Sequence, residues 1–306
     1  MTETIFGEVD RQIGCLPMGE WPPEGSISND KVATVGKNQW CFLYEGSNNY
    51  KMAYMDNSLA DLAESWAILI ENRRISCEKK GINFFQLIIP NKLSLIPEYF
   101  PEPLNSETSY ILESLLTIYN HSSLLVPLDL LRKSFFKNDV YRRNDSHLSA
   151  VGNIILTDYV INNIGVKSLK IDKPLFKKVE HVGDLGNKFN PSLSEYFFSP
   201  DWESSFFSQR QLIKKSFLPN QGVIGTWQSS FNEHAPIDKK IVVFGNSFFE
   251  KIPSWGLSPY FAAIFREFHF VWSPEINMNY CVNINPDIII AQTCERFMCK
   301  LPKDEL

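Results

Sequence analysis

A serine that follows an apolar run is the residue of this sequence best placed to do chemistry. Residues 241–244 read Ile-Val-Val-Phe, and Gly245, Asn246 and Ser247 follow them. A short, continuously apolar run predicts a buried strand, and the glycine allows a tight turn at its end. Open α/β sheets bind their ligands at the carboxyl ends of the strands. A serine hydroxyl at that point can act as a nucleophile if a base lies within reach.

The strongest candidate for that base is His147, which stands two residues after Asp145 in a polar stretch before a helical segment. In extended chain, residues i and i+2 point to the same side, so the Asp145 carboxylate can hold one ring nitrogen of His147. The other ring nitrogen is then left to take a proton from a hydroxyl group. Asp-x-His alone is a weak signal, because loops are rich in both residue types. The rival base is His234, shortly before the strand that precedes Ser247.

The composition is that of an ordinary globular protein. The 306 residues carry a net charge of -5, which predicts no nucleic-acid partner. Six cysteines without CxxC spacing and five histidines predict free thiols and no metal site. No apolar run is long enough to predict a transmembrane segment, and the N-terminus lacks the apolar core of a signal peptide. If Met1 is the natural start, the expected location is cytoplasmic.

The elements that must position these residues alternate between apolar runs and helical segments. Strand, helix and strand at this spacing predict a parallel sheet with crossover helices. A capping box at Ser58 predicts the start of the first helix, and Ser149 is the predicted N-cap of another. We expect one domain over residues 1–306, with an irregular N-terminal arm at 1–30 and an irregular insertion or lid at 168–238. The predicted strands are 84–89, 124–128, 241–244, 269–272 and 287–291, and the predicted helices are 58–80, 106–119, 149–163 and 259–268.

Five segments match, in order along the chain, the pattern of one known family. They are Val35–Leu43, Leu87–Lys92 with Ile96–Pro101, Asn144–Gly152, Gly183–Leu185 and Val243–Phe248. Together they resemble the SGNH-hydrolase-like alginate O-acetyltransferases, which acetylate sugar hydroxyls of bacterial exopolysaccharides. The resemblance spans about residues 32–296.

The resemblance implies an SGNH-hydrolase-like (flavodoxin-like) α/β fold in which Asp and His precede Ser along the chain. It implies that Ser247 is the nucleophile, His147 the general base and Asp145 the residue that orients it. The acetyl group would pass through an acyl-serine to a carbohydrate hydroxyl, with no bound cofactor. The acetyl donor would be acetyl-CoA or a membrane acyl-transfer partner. Members of the family are typically exported, so a periplasmic location is the alternative expectation.

Further residues are candidates for the oxyanion hole or for substrate contacts, because they lie near predicted strand ends or in the insertion. Packing is the competing role for each of them. Asn246 stands where the family often has Asp or Thr, and Leu148 stands where it commonly has Trp. The candidates are Gly245, Asn246, Asn91, Lys92, Trp40, Trp227, Glu295 and Arg296.

Two other functions fit the same residues. With water as the acceptor, the same three side chains would make a carbohydrate esterase, which would release acetate without a sugar. A non-catalytic glycan-binding protein could keep the fold alone. That function would be favoured if Ser247 and His147 lay beyond hydrogen-bond reach of each other.

Overall fold

The computed structural model describes residues 15–46, 50–135, 139–166, 175–201, 203, 211–216, 226–250 and 255–304. The described strands are β1 (Leu16–Pro17), β2 (Ala33–Val35), β3 (Cys41–Leu43), β4 (Asn83–Ile89), β5 (Leu124–Leu125), β6 (Phe176–Val182), β7 (Ser194–Pro200), β8 (Gln211–Ser216), β9 (Trp227–Phe231), β10 (Ile237–Gly245), β11 (Phe265–Trp272) and β12 (Ile288–Cys294). The described α-helices are α1 (Met52–Met55), α2 (Leu62–Glu78), α3 (Lys92–Leu95), α4 (Tyr110–Ile118), α5 (Leu128–Phe135), α6 (Ala150–Asn163), α7 (Ser258–Ile264) and α8 (Met278–Ile284).

Seven strands form the central sheet in the order β5-β4-β12-β10-β11-β9-β8. The strands from β5 to β11 run parallel, while β9 and β8 extend the sheet antiparallel. If the parallel strands are counted from β10 through β11, β12, β4 and β5, their order in the sheet becomes 2-1-3-4-5. That is the flavodoxin-like order, here circularly permuted, and its switch point lies between β10 and β12. A ligand site is therefore expected beyond these two strands.

Helices cover both faces of the sheet. Ile241 and Val243 of β10 belong to the core cluster that includes α5, α6 and α7, whereas Val242 and Phe244 belong to the cluster that includes α2, α4 and α8. All four side chains are buried, which explains why the run is continuously apolar rather than alternating. The predicted sheet flanked by helices is confirmed. No helix in the described ranges has the length and apolarity that a membrane crossing requires.

The prediction of an irregular segment at 168–238 is wrong for its described parts. Strands β6 and β7 form a hairpin in a separate three-stranded sheet with β1, and β8 and β9 belong to the central sheet. The residues of β6 are exposed or half-buried and many are polar, so this segment contains no apolar run that would predict a strand. The described part of the predicted N-terminal arm contains β1, which pairs with β7, and residues 1–14 lie outside the described residues.

Three helix boundaries show where local sequence signals predict the structure correctly and where they do not. Helix α6 follows Ser149, whose hydroxyl accepts a hydrogen bond from the N–H of Gly152, so the predicted N-cap is confirmed. The predicted capping box at Ser58 is wrong, because α2 begins only at Leu62 and Asp56 accepts from the N–H of Ser58 instead. The helix predicted at 259–268 ends with α7, and β11 follows it directly.

Candidate active site

Ser247 lies just beyond the end of β10, at the switch point of the sheet. A Cβ atom on Gly245 would lie 2.7 Å from Oε1 of Gln292 on the neighbouring strand β12, so only glycine fits there without a shift. The same Oε1 accepts a hydrogen bond from the N–H of Asn246 at 3.0 Å. The side chain of Asn246 in turn accepts from the N–H of Phe248 at 3.1 Å, an Asx turn that supports the loop.

The turn also leaves a donor beside the hydroxyl. Among the described residues, the N–H of Ser247 has no hydrogen-bond acceptor. A backbone N–H in this position is the kind of group that stabilises an oxyanion. The turn at Asn246 and Ser247 therefore presents a hydroxyl beside a backbone N–H that has no acceptor among the described residues.

His147 joins Ser247 to Asp145 although 100 residues separate the histidine from the serine. The His147 Nε2 atom lies 2.7 Å from Ser247 Oγ, and its Nδ1 atom lies 2.7 Å from Asp145 Oδ1. The same Oδ1 accepts from the backbone N–H of His147 at 2.9 Å, which fixes the loop before α6. The three side chains form one continuous hydrogen-bonded chain, the arrangement expected of a nucleophile, its base and an orienting carboxylate.

The second oxygen of Asp145 has two further partners. Arg142 Nη1 and His181 Nε2 each lie 3.1 Å from Asp145 Oδ2. Burial alone would raise the pKa of Asp145, but Arg142 and His147 outweigh it and hold that pKa well below its usual range. The carboxylate is therefore ionised when His147 accepts a proton, and it can stabilise the imidazolium that forms.

A second loop fixes the residue between Asp145 and His147. Asp184 accepts hydrogen bonds from both the N–H and the hydroxyl of Ser146, the former at 2.6 Å. A Cβ atom on Gly183 would lie 2.3 Å from the carbonyl oxygen of Asn144, so the loop can approach this closely only with glycine. The Gly-Asp pair thus supports the conformation of the Asp-x-His segment.

The three residues open onto a cavity of about 280 Å³. Several of its lining residues lay outside the sequence-based candidates: Arg142, His181, Asp184, Asn187, Glu250 and Trp255. Only Asp184 carried a usable signal, because it belongs to the Gly183–Leu185 segment. His181 comes from β6 and the others come from loops or turns, and their proximity depends on the fold. The rival base His234 does not line this cavity. Its backbone N–H donates a hydrogen bond to the side-chain oxygen of Asn232.

Three expected contact residues are buried away from this cavity. The Lys92 ammonium donates to the carbonyl oxygens of Cys41 at 2.7 Å and Arg143 at 3.0 Å. Glu295 accepts from the N–H of Asn91 at 2.8 Å, and it also accepts from Ser94 and Ser109. The Lys92 and Glu295 side chains thus hold separate loop segments together, and none of the three residues lines the cavity.

The remaining candidates lie outside the cavity as well. Trp40 is buried and packs against Phe135, with ring centroids 5.0 Å apart. Trp227 lies on β9 and stacks on His269 at 6.2 Å. Arg296 packs against the residue after Ser247, with its guanidinium carbon 5.4 Å from the centre of the Phe248 ring.

One group of metal-ligating side chains occurs within the described residues. Ligand atoms of Asp145, His147 and Asp184 lie within 4.8 Å of one another. Each already has a protein partner, since Arg142 and His147 bind Asp145 and Ser146 donates to Asp184. A cation in this position would have to replace the Arg142 contact, so the group fits a hydrogen-bonded site better than a metal centre.

Solved structures resemble this chain over most of its length. PatB1 of Bacillus cereus, in a structure with a sulfonyl adduct, matches with a TM-score of 0.63 and 13% identity over 90% of this chain and 100% of its own. The O-acetyltransferase domain of Pseudomonas putida AlgJ matches with a TM-score of 0.55 and 13% identity over 89% and 94%. A DHHW family protein from Eubacterium siraeum matches with a TM-score of 0.55 and 11% identity over 91% and 95%. The chain shares their fold. No family model and no curated protein sequence matches it.

Proposed function

We propose that this protein is an O-acetyltransferase that moves an acetyl group to a hydroxyl of a bacterial surface polysaccharide or exopolysaccharide through Ser247. The observation that carries the proposal is the hydrogen-bonded chain from Asp145 through His147 to Ser247 at the switch point of the sheet. The fold shared with a domain described as an O-acetyltransferase supports the choice of acetyl transfer.

In the first step, His147 Nε2 takes the proton of Ser247 as Oγ attacks the carbonyl carbon of the acetyl donor. We assign the stabilisation of the oxygen of the tetrahedral intermediate to the N–H of Ser247, which has no acceptor among the described residues. The intermediate collapses as the donor's leaving group takes the proton from the imidazolium. The products are the free leaving group and acetyl-Ser247.

In the second step, a sugar hydroxyl gives its proton to His147 and attacks the acetyl carbon. Collapse of this intermediate breaks the bond to Ser247 Oγ, which recovers the proton from His147. Asp145 stays ionised throughout and holds Nδ1–H of the ring. The step needs a carbohydrate acceptor and an acetyl donor, either acetyl-CoA or a membrane acyl-transfer partner, and no bound cofactor.

An esterase is the second candidate function, because the His147 side chain is 21% exposed and the cavity opens to solvent. Water that reaches acetyl-Ser247 would release acetate by the same steps. Measuring acetate released without a sugar against acetyl transferred to a sugar separates the two functions.

The first test is mass spectrometry of the protein after incubation with p-nitrophenyl acetate. We expect an acetyl group on the peptide that contains Ser247, and no adduct on that peptide in Ser247→Ala. Ser258→Ala is the matched control, because this buried hydroxyl has no hydrogen-bond partner among the described residues. An adduct that forms equally well in Ser247→Ala would contradict the proposal.

A further inference from the structure

Trp255 lines the cavity that contains Ser247, yet none of the steps above uses it. The residue is 37% exposed, which is unusual for so large an aromatic side chain beside a reactive centre. Its backbone carbonyl accepts a hydrogen bond at 2.6 Å from Nδ2 of Asn153, a buried residue of α6. This hydrogen bond holds the backbone of Trp255 against α6.

The indole is also held by three neighbouring side chains. The rings of His181 and Phe197 meet it nearly perpendicularly, with centroid distances of 4.7 Å and 5.3 Å. The Arg142 guanidinium carbon lies 5.7 Å from its centre, and the same guanidinium pairs with Asp145. The indole is thus tied to the catalytic carboxylate through one residue. A surface fixed in this way loses little conformational entropy when a ligand covers it.

Polar groups complete the wall of the cavity. Asp184, whose side chain is 44% exposed, and Asn187 line it together with Trp255. A flat apolar face beside carboxylate and amide groups suits a sugar ring, which has a C–H face and a rim of hydroxyls. At about 280 Å³, the cavity lies just below the ~300–1,000 Å³ typical of small-molecule sites, so a single ring suits it better than a larger ligand.

The charges of the cavity favour an uncharged ring. Among the described lining residues, Arg142 is the one guanidinium or ammonium group, and its side chain is 6% exposed and paired with Asp145. Asp184 presents an exposed carboxylate 3.7 Å from His147 Nδ1. A sugar carboxylate bound here would meet a like charge and no unpaired cation on these residues, which is unfavourable.

We propose that Trp255 is the platform on which the acceptor sugar stacks, and that this sugar is an uncharged pyranose rather than a uronic acid. The proposal rests on the proposed function, because it concerns the acceptor of acetyl-Ser247. In this proposal Trp255 contacts the acceptor, whereas Ser247 and His147 carry out the formation of the acyl-enzyme.

The test separates acceptor binding from acylation. Wild type, Trp255→Ala and Trp255→Phe receive p-nitrophenyl acetate with cellotriose, mannotriose or trigalacturonate as the acceptor. We expect transfer to the neutral trisaccharides and a KM for them about tenfold higher in Trp255→Ala, equivalent to about 1.4 kcal/mol. Trp255→Phe keeps an aromatic face and falls between the two. The rate of acetyl-Ser247 formation without acceptor is measured for each variant as well, and we expect it to fall by a smaller factor than the acceptor KM rises.

Trp227→Phe is the matched control, because its tryptophan lies outside the cavity, and its acceptor KM is expected to equal that of wild type. An unchanged acceptor KM in Trp255→Ala, or faster transfer to trigalacturonate than to the neutral trisaccharides, would overturn the inference. Failure of the proposed function looks different, since wild type would then form no acetyl-Ser247 at all.

Discussion

Two groups of charged side chains lie beside the carboxyl ends of the central strands, and their surroundings differ. The open group, Asp145, His147 and Arg142, borders the cavity that contains Ser247. The closed group, Lys92, Glu195 and Glu295, is buried and borders no part of that cavity. Lys92 follows β4 and Glu295 follows β12, while His147 contacts Ser247, which follows β10. Proximity to a strand end therefore does not by itself separate the side chains of the cavity from the buried ones.

The difference also appears in the charge state of each group. Burial lowers the pKa of Lys92 to about 8 and raises that of Glu195 to about 7, so the interior of the closed group disfavours charge. In the open group, Asp145 is equally buried, but Arg142 and His147 keep its pKa well below the usual range. A buried carboxylate therefore stays ionised where cations and hydrogen-bond donors surround it.

The largest expected effect compares one isosteric change in each group. Asp145→Asn presents an amide to His147 and favours the wrong ring tautomer, so we expect acetyl-Ser247 formation to fall by about 10⁴-fold. Glu195→Gln, the matched change in the closed group, leaves that rate within about threefold of wild type. Both rates follow from quenched reactions with p-nitrophenyl acetate. A comparable loss in Glu195→Gln would remove the distinction between the two groups.

An effect on stability rather than on rate is expected at Glu295. Its carboxylate is buried and accepts hydrogen bonds from two backbone N–H groups and from Ser94. In Glu295→Gln, the NH₂ group of the amide would face one of these N–H donors, and neither group would have an acceptor there. We expect the free energy of unfolding to fall by about 3 kcal/mol. Urea denaturation measures this, and the acylation rate of the folded protein is expected to change little. A stable variant that is inactive would instead place Glu295 in the chemistry.

The smallest effect is a pH dependence caused by Lys92. Because its folded pKa, about 8, lies below the unfolded value of ~10.4, the unfolded chain binds more protons between these values, and stability rises with pH there. From about pH 7 to about pH 9 this contributes roughly 1 kcal/mol to the free energy of unfolding. Lys92→Met is expected to lack that rise in urea titrations. Parallel curves for the two proteins would show that Lys92 is ionised normally.

The sequence predicts the buried parallel strands and the pairing of Asp145 with His147, because both follow from local patterns. The pairing of His147 with Ser247, 100 residues away, is predicted by the resemblance of the five segments instead. A fully buried strand is continuously apolar, and Asp-x-His places two side chains on one face within three residues. The contribution of Trp255 and His181 could not be predicted in this way. The backbone of Trp255 is held beside the cavity by Asn153 of α6, 102 residues earlier in the chain. His181 lies on β6, a strand without the apolar pattern that would predict it. The strand-end positions of Lys92 and Glu295 predict that these residues lie near substrate, but their burial depends on the loops that pack against them and is not visible in a local pattern.

The permuted order of the sheet has a consequence for how the chain folds during synthesis. Strand β4 pairs on one side with β5, which is made soon afterwards, but its other neighbour is β12, the last strand of the sheet to be synthesised. The edge of β4 therefore stays unpaired until about 200 further residues have been made, and exposed strand edges invite wrong partners. The two halves of the sheet join only when β12 enters between β4 and β10. This late step completes the core, and it also supplies Gln292 of β12, which supports the turn that holds Ser247.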